Sequence, residues 1–147
     1  MLLPTRRFLH TCKVVDSPLC TFCCQEDETI THLLWQCDIV QTFWGQLLSL
    51  LQLHCTHCDR LVLSEQLVLF GYAEMIQTDK IIDFILLSAK FYIYKFKLQD
   101  TQLSRDIFIR ILKFRYKNEN SAAKSSRAAL GFVTAWLPYT ALLNSVN

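Results

Sequence analysis

Within eighteen positions of this 147-residue chain stand four cysteines and a histidine, and Cys20, Cys23, His32 and Cys37 form the pattern C-x2-C-x8-H-x4-C. Two residues between the first cysteines let one tight turn aim both sulfurs at a common point. A helix carrying His32 on its inner face and Cys37 at its end supplies the other two donors. Thiolates neutralise a dication and a neutral imidazole completes the tetrahedron, leaving no position open for a substrate. The pattern therefore predicts a structural zinc site made of Cys20, Cys23, His32 and Cys37. Ordinary buried cysteines are the competing explanation, since cysteine is often fully buried, but the local density favours ligation. Cys24 competes with Cys23 for a place in the shell.

The other cysteines add less. Seven is an odd number, and Met1-Leu2-Leu3 is broken by Pro4 and Arg6-Arg7, so no apolar run of signal-peptide length is expected. A disulfide framework is a poor explanation, and a reducing, intracellular location is the expectation. The cluster His54-Cys55-Thr56-His57-Cys58 contains a second C-x2-C, with no distant pair to complete a shell. It reads as incidental, with a shared or adventitious metal site and redox activity as alternatives. Cys12 is expected in the core, on one face of a short helix with Phe8 and Leu9.

Three glycines and three prolines are too few for a β-sandwich and favour helices joined by short polar links. With 52% hydrophobic residues, there is material for a core and wholesale disorder is excluded. The predicted fold class is mainly α, a small zinc knuckle followed by a helical subdomain. A short helix spans Thr5 to Lys13; Thr29 caps another that runs toward Cys37. Ile39, Val40, Phe43, Trp44, Leu47, Leu48 and Leu51 recur at helical spacing and predict an amphipathic helix ending near His54. Leu61 to Phe70 is apolar, interrupted by Ser64-Glu65-Gln66 and closed by Gly71. Thr78-Asp79 starts a helix from Ile81 to about Leu98, apolar around most of its circumference and so central. Ser104 and Asp106 open a last helix whose final turn is crowded by Lys113, Arg115 and Lys117, where the dipole favours cations. The organisation expected is a knuckle over 1–38, a helical extension over 39–118 and a tail of uncertain structure over 119–147.

Charge is uneven. Residues 1–60 hold four Lys/Arg against six Asp/Glu, whereas residues 90–127 hold ten against three. Basic residues interleave with aromatics over Lys90 to Lys97 and Arg110 to Lys117. One reading is phosphate contact with base stacking; the other, favoured by the pattern, is two amphipathic helices with rings inside and cations outside. Ile81 to Phe96 is interrupted by Asp83, Lys90 and Lys95, each costing roughly 3 kcal/mol near a bilayer centre, so a buried helix and no membrane are expected. The acidic run Glu26-Asp27-Glu28 reads as a solvated patch ahead of a helix start. No G-x-S-x-G, P-loop or H-E-x-x-H occurs, and the expectation is that the chain is not an enzyme.

Leu3-Pro4-Thr5, Pro18-Leu19-Cys20-Thr21-Phe22-Cys23, Glu28-Thr29-Ile30-Thr31-His32-Leu33-Leu34-Trp35-Gln36-Cys37 and Phe43-Trp44 together resemble the zinc-binding segment that follows the reverse transcriptase of non-LTR (LINE-type) retrotransposons. The match runs through Cys20, Cys23, Glu28, Thr29, His32, Leu33, Cys37 and Trp44 in order. Leu69-Phe70-Gly71 and Ile85 to Tyr94 resemble the C-terminal extension of vertebrate-type elements more weakly, so the likeness covers about residues 3–118. The resemblance implies an accessory module contacting RNA or DNA, whose partner is the reverse transcriptase portion of the parent element. Arg6, Arg7, Lys113, Arg115 and Lys117 are the candidate phosphate contacts. The family's endonuclease and its polymerase carboxylates have no counterpart here. The alternative is a non-enzymatic protein-interaction or vestigial helical fragment.

Overall fold

A computed structural model describes residues 3–55, 58–71, 80–123 and 129–146. As expected, the architecture is mainly α. Among the described residues there is no strand, only one antiparallel bridge between Leu19 and Asp27.

Helix α1 spans Arg6–Thr11, and the Thr5 Oγ1 at its N-cap accepts from the Phe8 N–H at 3.4 Å. It ends where Lys13 turns left-handed, at φ 58°. Cys12 does not join the core but is exposed, and Phe8 is 53% exposed. The reason is that α1 buries no residue. It is held by its N-terminal backbone, where the Arg6 N–H donates to the Glu28 carboxylate, rather than by an apolar face.

Residues 18–28 form the knuckle. The Cys20 N–H donates to Glu26 O at 2.7 Å and the Glu28 N–H to Pro18 O at 2.9 Å, closing a loop around the cysteine turn. Thr29 then caps as expected, its Oγ1 accepting from the His32 N–H at 3.0 Å. The helix that it opens is not a regular α-helix. His32–Gln36 is a π-helical segment, with the Cys37 N–H donating to His32 O at 2.9 Å.

Helix α2 covers Asp38–His54 and buries Val40, Phe43, Trp44, Leu47 and Leu51, the stripe anticipated from spacing. Helix α3 covers Glu65–Phe70. Ser64, which looked like part of an interruption, is its N-cap, accepting from the Leu67 N–H at 3.2 Å, and Gly71 ends it at φ 80°. Helix α4 covers Lys80–Leu98 and packs on the π segment and on α5. Its expected start, Thr78-Asp79, lies outside the described residues. Tyr92 fixes the next element: its hydroxyl donates to Ser104 O at 2.9 Å and accepts from the Ser104 N–H at 3.0 Å.

Helix α5 spans Arg105–Ala123, past the point where its end was expected. Lys113, Arg115 and Lys117 therefore lie along its middle, and no basic residue occupies its last turn. The polar run Asn118 to Ala123 continues the helix beyond the buried stripe of Phe108, Ile109 and Leu112, with Asn118, Glu119, Ser121 and Ala122 exposed and Asn120 and Ala123 half-buried. Helix α6 (Ala129–Trp136), a 3-10 turn (Leu137–Tyr139) and helix α7 (Thr140–Leu143) then fold back on α5 and α2.

Two aromatic groups hold these helices together. Phe43 of α2 meets Tyr92 of α4 and Phe108 of α5, each at 5.6 Å between ring centroids. Trp136 of α6 meets Phe84 of α4 at 5.7 Å and Tyr116 of α5 at 5.2 Å. Edge and tilted contacts of this kind add about 1 kcal/mol each beyond the area buried.

Candidate metal centre

The turn and the π segment bring Cys20, Cys23, His32 and Cys37 together, with one donor atom from each within 4.8 Å of every other. Cys20 Sγ lies 3.9 Å from Cys37 Sγ, and Cys23 Sγ lies 3.4 Å from His32 Nε2. A tetrahedron with metal–sulfur bonds of about 2.3 Å has edges of about 3.8 Å, shorter where nitrogen replaces sulfur. A disulfide would need about 2.05 Å. The quartet can hold a metal ion. Three of its four members are buried and Cys23 is half-buried.

The π segment has a geometric consequence. In a regular α-helix, positions five apart stand about 140° apart around the axis. An i→i+5 bonded turn is wider and brings such positions toward one side. The wider turn thus lets His32 and Cys37 share a target across their x4 spacing. Its last carbonyls would lack partners, and α2 supplies them: the Trp44 Nε1–H donates to Leu34 O at 2.8 Å and Gln41 Nε2 to Trp35 O at 2.6 Å.

Both buried sulfurs are electrostatically prepared. The thiol of Cys20 donates to Cys37, which is the largest influence holding Cys37 below the usual thiol range. Burial opposes this, and the Val40 and Ile39 N–H groups at the start of α2 support it. The same bond, with burial, pushes Cys20 well above that range, although the Cys23 and Phe22 N–H groups point at its sulfur. His32 turns Nε2 toward the sulfurs, so its proton belongs on Nδ1, where Glu26 Oε2 stands 3.2 Å away. That contact is not aligned as a hydrogen bond. Cys24 is exposed, at φ 56°, with its sulfur 3.9 Å from Thr21 O. It stands outside the quartet, in which Cys23 is the second cysteine.

Glu28 corrects the expectation of a solvated patch. Its carboxylate is fully buried beside the centre. Oε1 accepts from the Arg6 N–H at 2.8 Å and pairs with Lys97 Nζ at 2.9 Å; Oε2 accepts from the Thr21 N–H and hydroxyl, both at 3.1 Å. Burial alone would raise this carboxyl, but the Arg6, Lys97 and Thr21 donors outweigh it and hold it below the ordinary value. Lys97 also donates to Pro4 O at 2.9 Å. One carboxylate thereby ties the N-terminal segment, the start of α1, the knuckle and α4 together. The sequence contained a signal for it: Lys97 continues the buried Leu86–Ile93 row of α4, and a cation there needs a buried partner.

The basic residues are not gathered in the same way. Arg6 is half-buried, with Nε donating to Ser17 O at 3.3 Å, while Arg7 is exposed. Lys117 is exposed on α5, Lys113 and Arg115 are half-buried, and the Arg115 guanidinium lies 5.2 Å from the Phe91 ring centre. Lys97 is committed to Glu28, and Lys90 Nζ donates to Leu69 O at 3.4 Å. Tyr92 and Phe96 are buried, Phe91 and Phe114 exposed. Cys55 and Cys58 are buried in the core, with Thr56 and His57 outside the described residues. No described helix is long and apolar enough to cross a membrane. Comparison with protein-family models, with curated proteins and with solved structures finds no match.

Proposed function

We propose that this chain is a zinc-binding module related to the segment following a non-LTR retrotransposon reverse transcriptase, and that it contacts RNA or DNA. The observation that carries the reading is the quartet of Cys20, Cys23, His32 and Cys37 within 4.8 Å. Three thiolates and one imidazole in tetrahedral spacing suit zinc better than harder cations, which prefer oxygen. Four protein donors fill the shell, so the ion shapes the knuckle and activates no water. The module is accordingly not an enzyme.

The motif residues of the resemblance each have a physical task, which supports the assignment. Cys20, Cys23, His32 and Cys37 converge, Glu28 ties the knuckle to α4, Thr29 caps the π segment, and Trp44 satisfies its Leu34 carbonyl. Arg6, Arg7, Lys113, Arg115 and Lys117 are the proposed phosphate contacts. Binding of single-stranded RNA titrated at several salt concentrations tests them. Affinity must fall steeply as salt rises, and the fall must be shallower in Arg7→Gln/Lys117→Gln. A flat response, or no binding at low salt, contradicts the nucleic-acid reading and leaves the metal centre untouched.

A further inference from the structure

Helices α4 and α5 present an outer surface that no described element covers. Leu87, Phe91 and Leu98 are 62%, 54% and 63% exposed, and their i, i+4, i+11 spacing makes one stripe along α4. Ile107 and Phe114 continue the apolar surface on α5, at 41% and 64%. The stacking of Arg115 across Phe91 places the two stripes side by side. Isolated exposed leucines are ordinary, whereas a row this long across two helices is not.

Charge says what fits there. Neither 84–98 nor 107–117 contains an aspartate or glutamate, while Lys95, Arg110, Arg115 and Lys117 border the apolar row. A second copy of this chain would bring cation against cation. Nucleic acid satisfies the cations but gives Leu87, Leu98 and Ile107 nothing to pack against, since bases stack on planar groups. A helix with an apolar stripe flanked by carboxylates satisfies both, and its width of about 10 Å suits a two-helix surface. We infer that the outer face of α4 and α5 is a docking surface for an acidic amphipathic helix of a partner protein. Leu87, Phe91 and Leu98 anchor it, and Lys95 and Arg110 set its charge.

The test uses the full-length chain and a fluorescent synthetic helix of about 18 residues, leucines at i, i+3, i+4 and i+7 and glutamates elsewhere. A second peptide replaces every glutamate by lysine. Saturable one-to-one binding of the acidic peptide, with little binding of the basic one, is expected. Leu87→Ser/Phe91→Ser and Lys95→Glu/Arg110→Glu should each weaken it by about tenfold or more. These positions are exposed, and an unchanged thermal midpoint confirms that the variants fold. Equal binding of both peptides, absence of binding, or variants that bind like the parent overturns the inference. So does tighter Leu87- and Phe91-dependent binding of anionic vesicles or poly(U), or self-association that these substitutions abolish. Arg115 and Lys117 border this surface and are also proposed phosphate contacts, but none of the four substituted positions is, so the peptide arm can fail while salt-dependent RNA binding stands.

Discussion

At Cys23 and Cys24 two adjacent thiols compete for one role, and backbone geometry separates them. Cys24 takes a left-handed conformation that carries its sulfur toward Thr21 O, leaving Cys23 beside His32. Cys24→Ser should therefore retain the full metal content of the parent, while Cys23→Ser loses it, as read by elemental analysis of the purified proteins. Glu28 supports a second residue-scale prediction. Removing its charge leaves Lys97 buried and unpaired, so Glu28→Gln should destabilise the fold by about 3 kcal/mol at neutral pH. Because the folded carboxyl is held below its ordinary value, its contribution is present above about pH 4.5 and disappears as pH falls through the folded value. Urea unfolding of parent and variant across pH should show a gap that narrows below about pH 4.5. A gap independent of pH would contradict this account.

Elements with a long apolar period were legible in the sequence, and those shaped by a partner were not. Val40, Phe43, Trp44, Leu47 and Leu51 repeat at helical spacing along the helix, so both ends of α2 are close to their expected places. The π segment left no such trace. It is five residues long, and its wider turn is needed because His32 and Cys37 must meet Cys20 and Cys23. The helix through Asn118–Ala123 was missed because its exposed face is polar and its continuation depends on the packing of the turns before it. Trp44 links these elements, because its indole N–H satisfies the Leu34 carbonyl that the π segment leaves free. Trp44→Phe keeps a ring in the core but orphans that carbonyl. A loss of about 1–3 kcal/mol is expected in denaturant unfolding, accompanied by weaker metal retention during chelator titration. Unchanged stability would show that Leu34 O needs no partner.

Across the whole molecule, the metal quartet was legible because its donors crowd into one short stretch, and the attachment of that stretch to the helices was not. Glu28 and Lys97 are 69 positions apart and close only through the tertiary fold. The same holds for residues 129–146. Trp136, Tyr139, Leu142 and Leu143 look apolar without a period, because they sit on short elements that bend around α5 and α2. Their buried area makes the segment part of the core, so truncation after Ala123 should expose the inner faces of α2 and α5. Broadened unfolding and dye binding to exposed apolar surface would report it; a cooperative transition like the parent's would contradict it. The knuckle has few core residues of its own and relies on the quartet and on Glu28 for its shape. Elemental analysis of protein purified without an affinity tag tests that dependence most directly. About one zinc per chain is expected, falling to almost none in Cys20→Ser/Cys37→Ser. Less than about half an equivalent in the parent, or full zinc in the double variant, would contradict it.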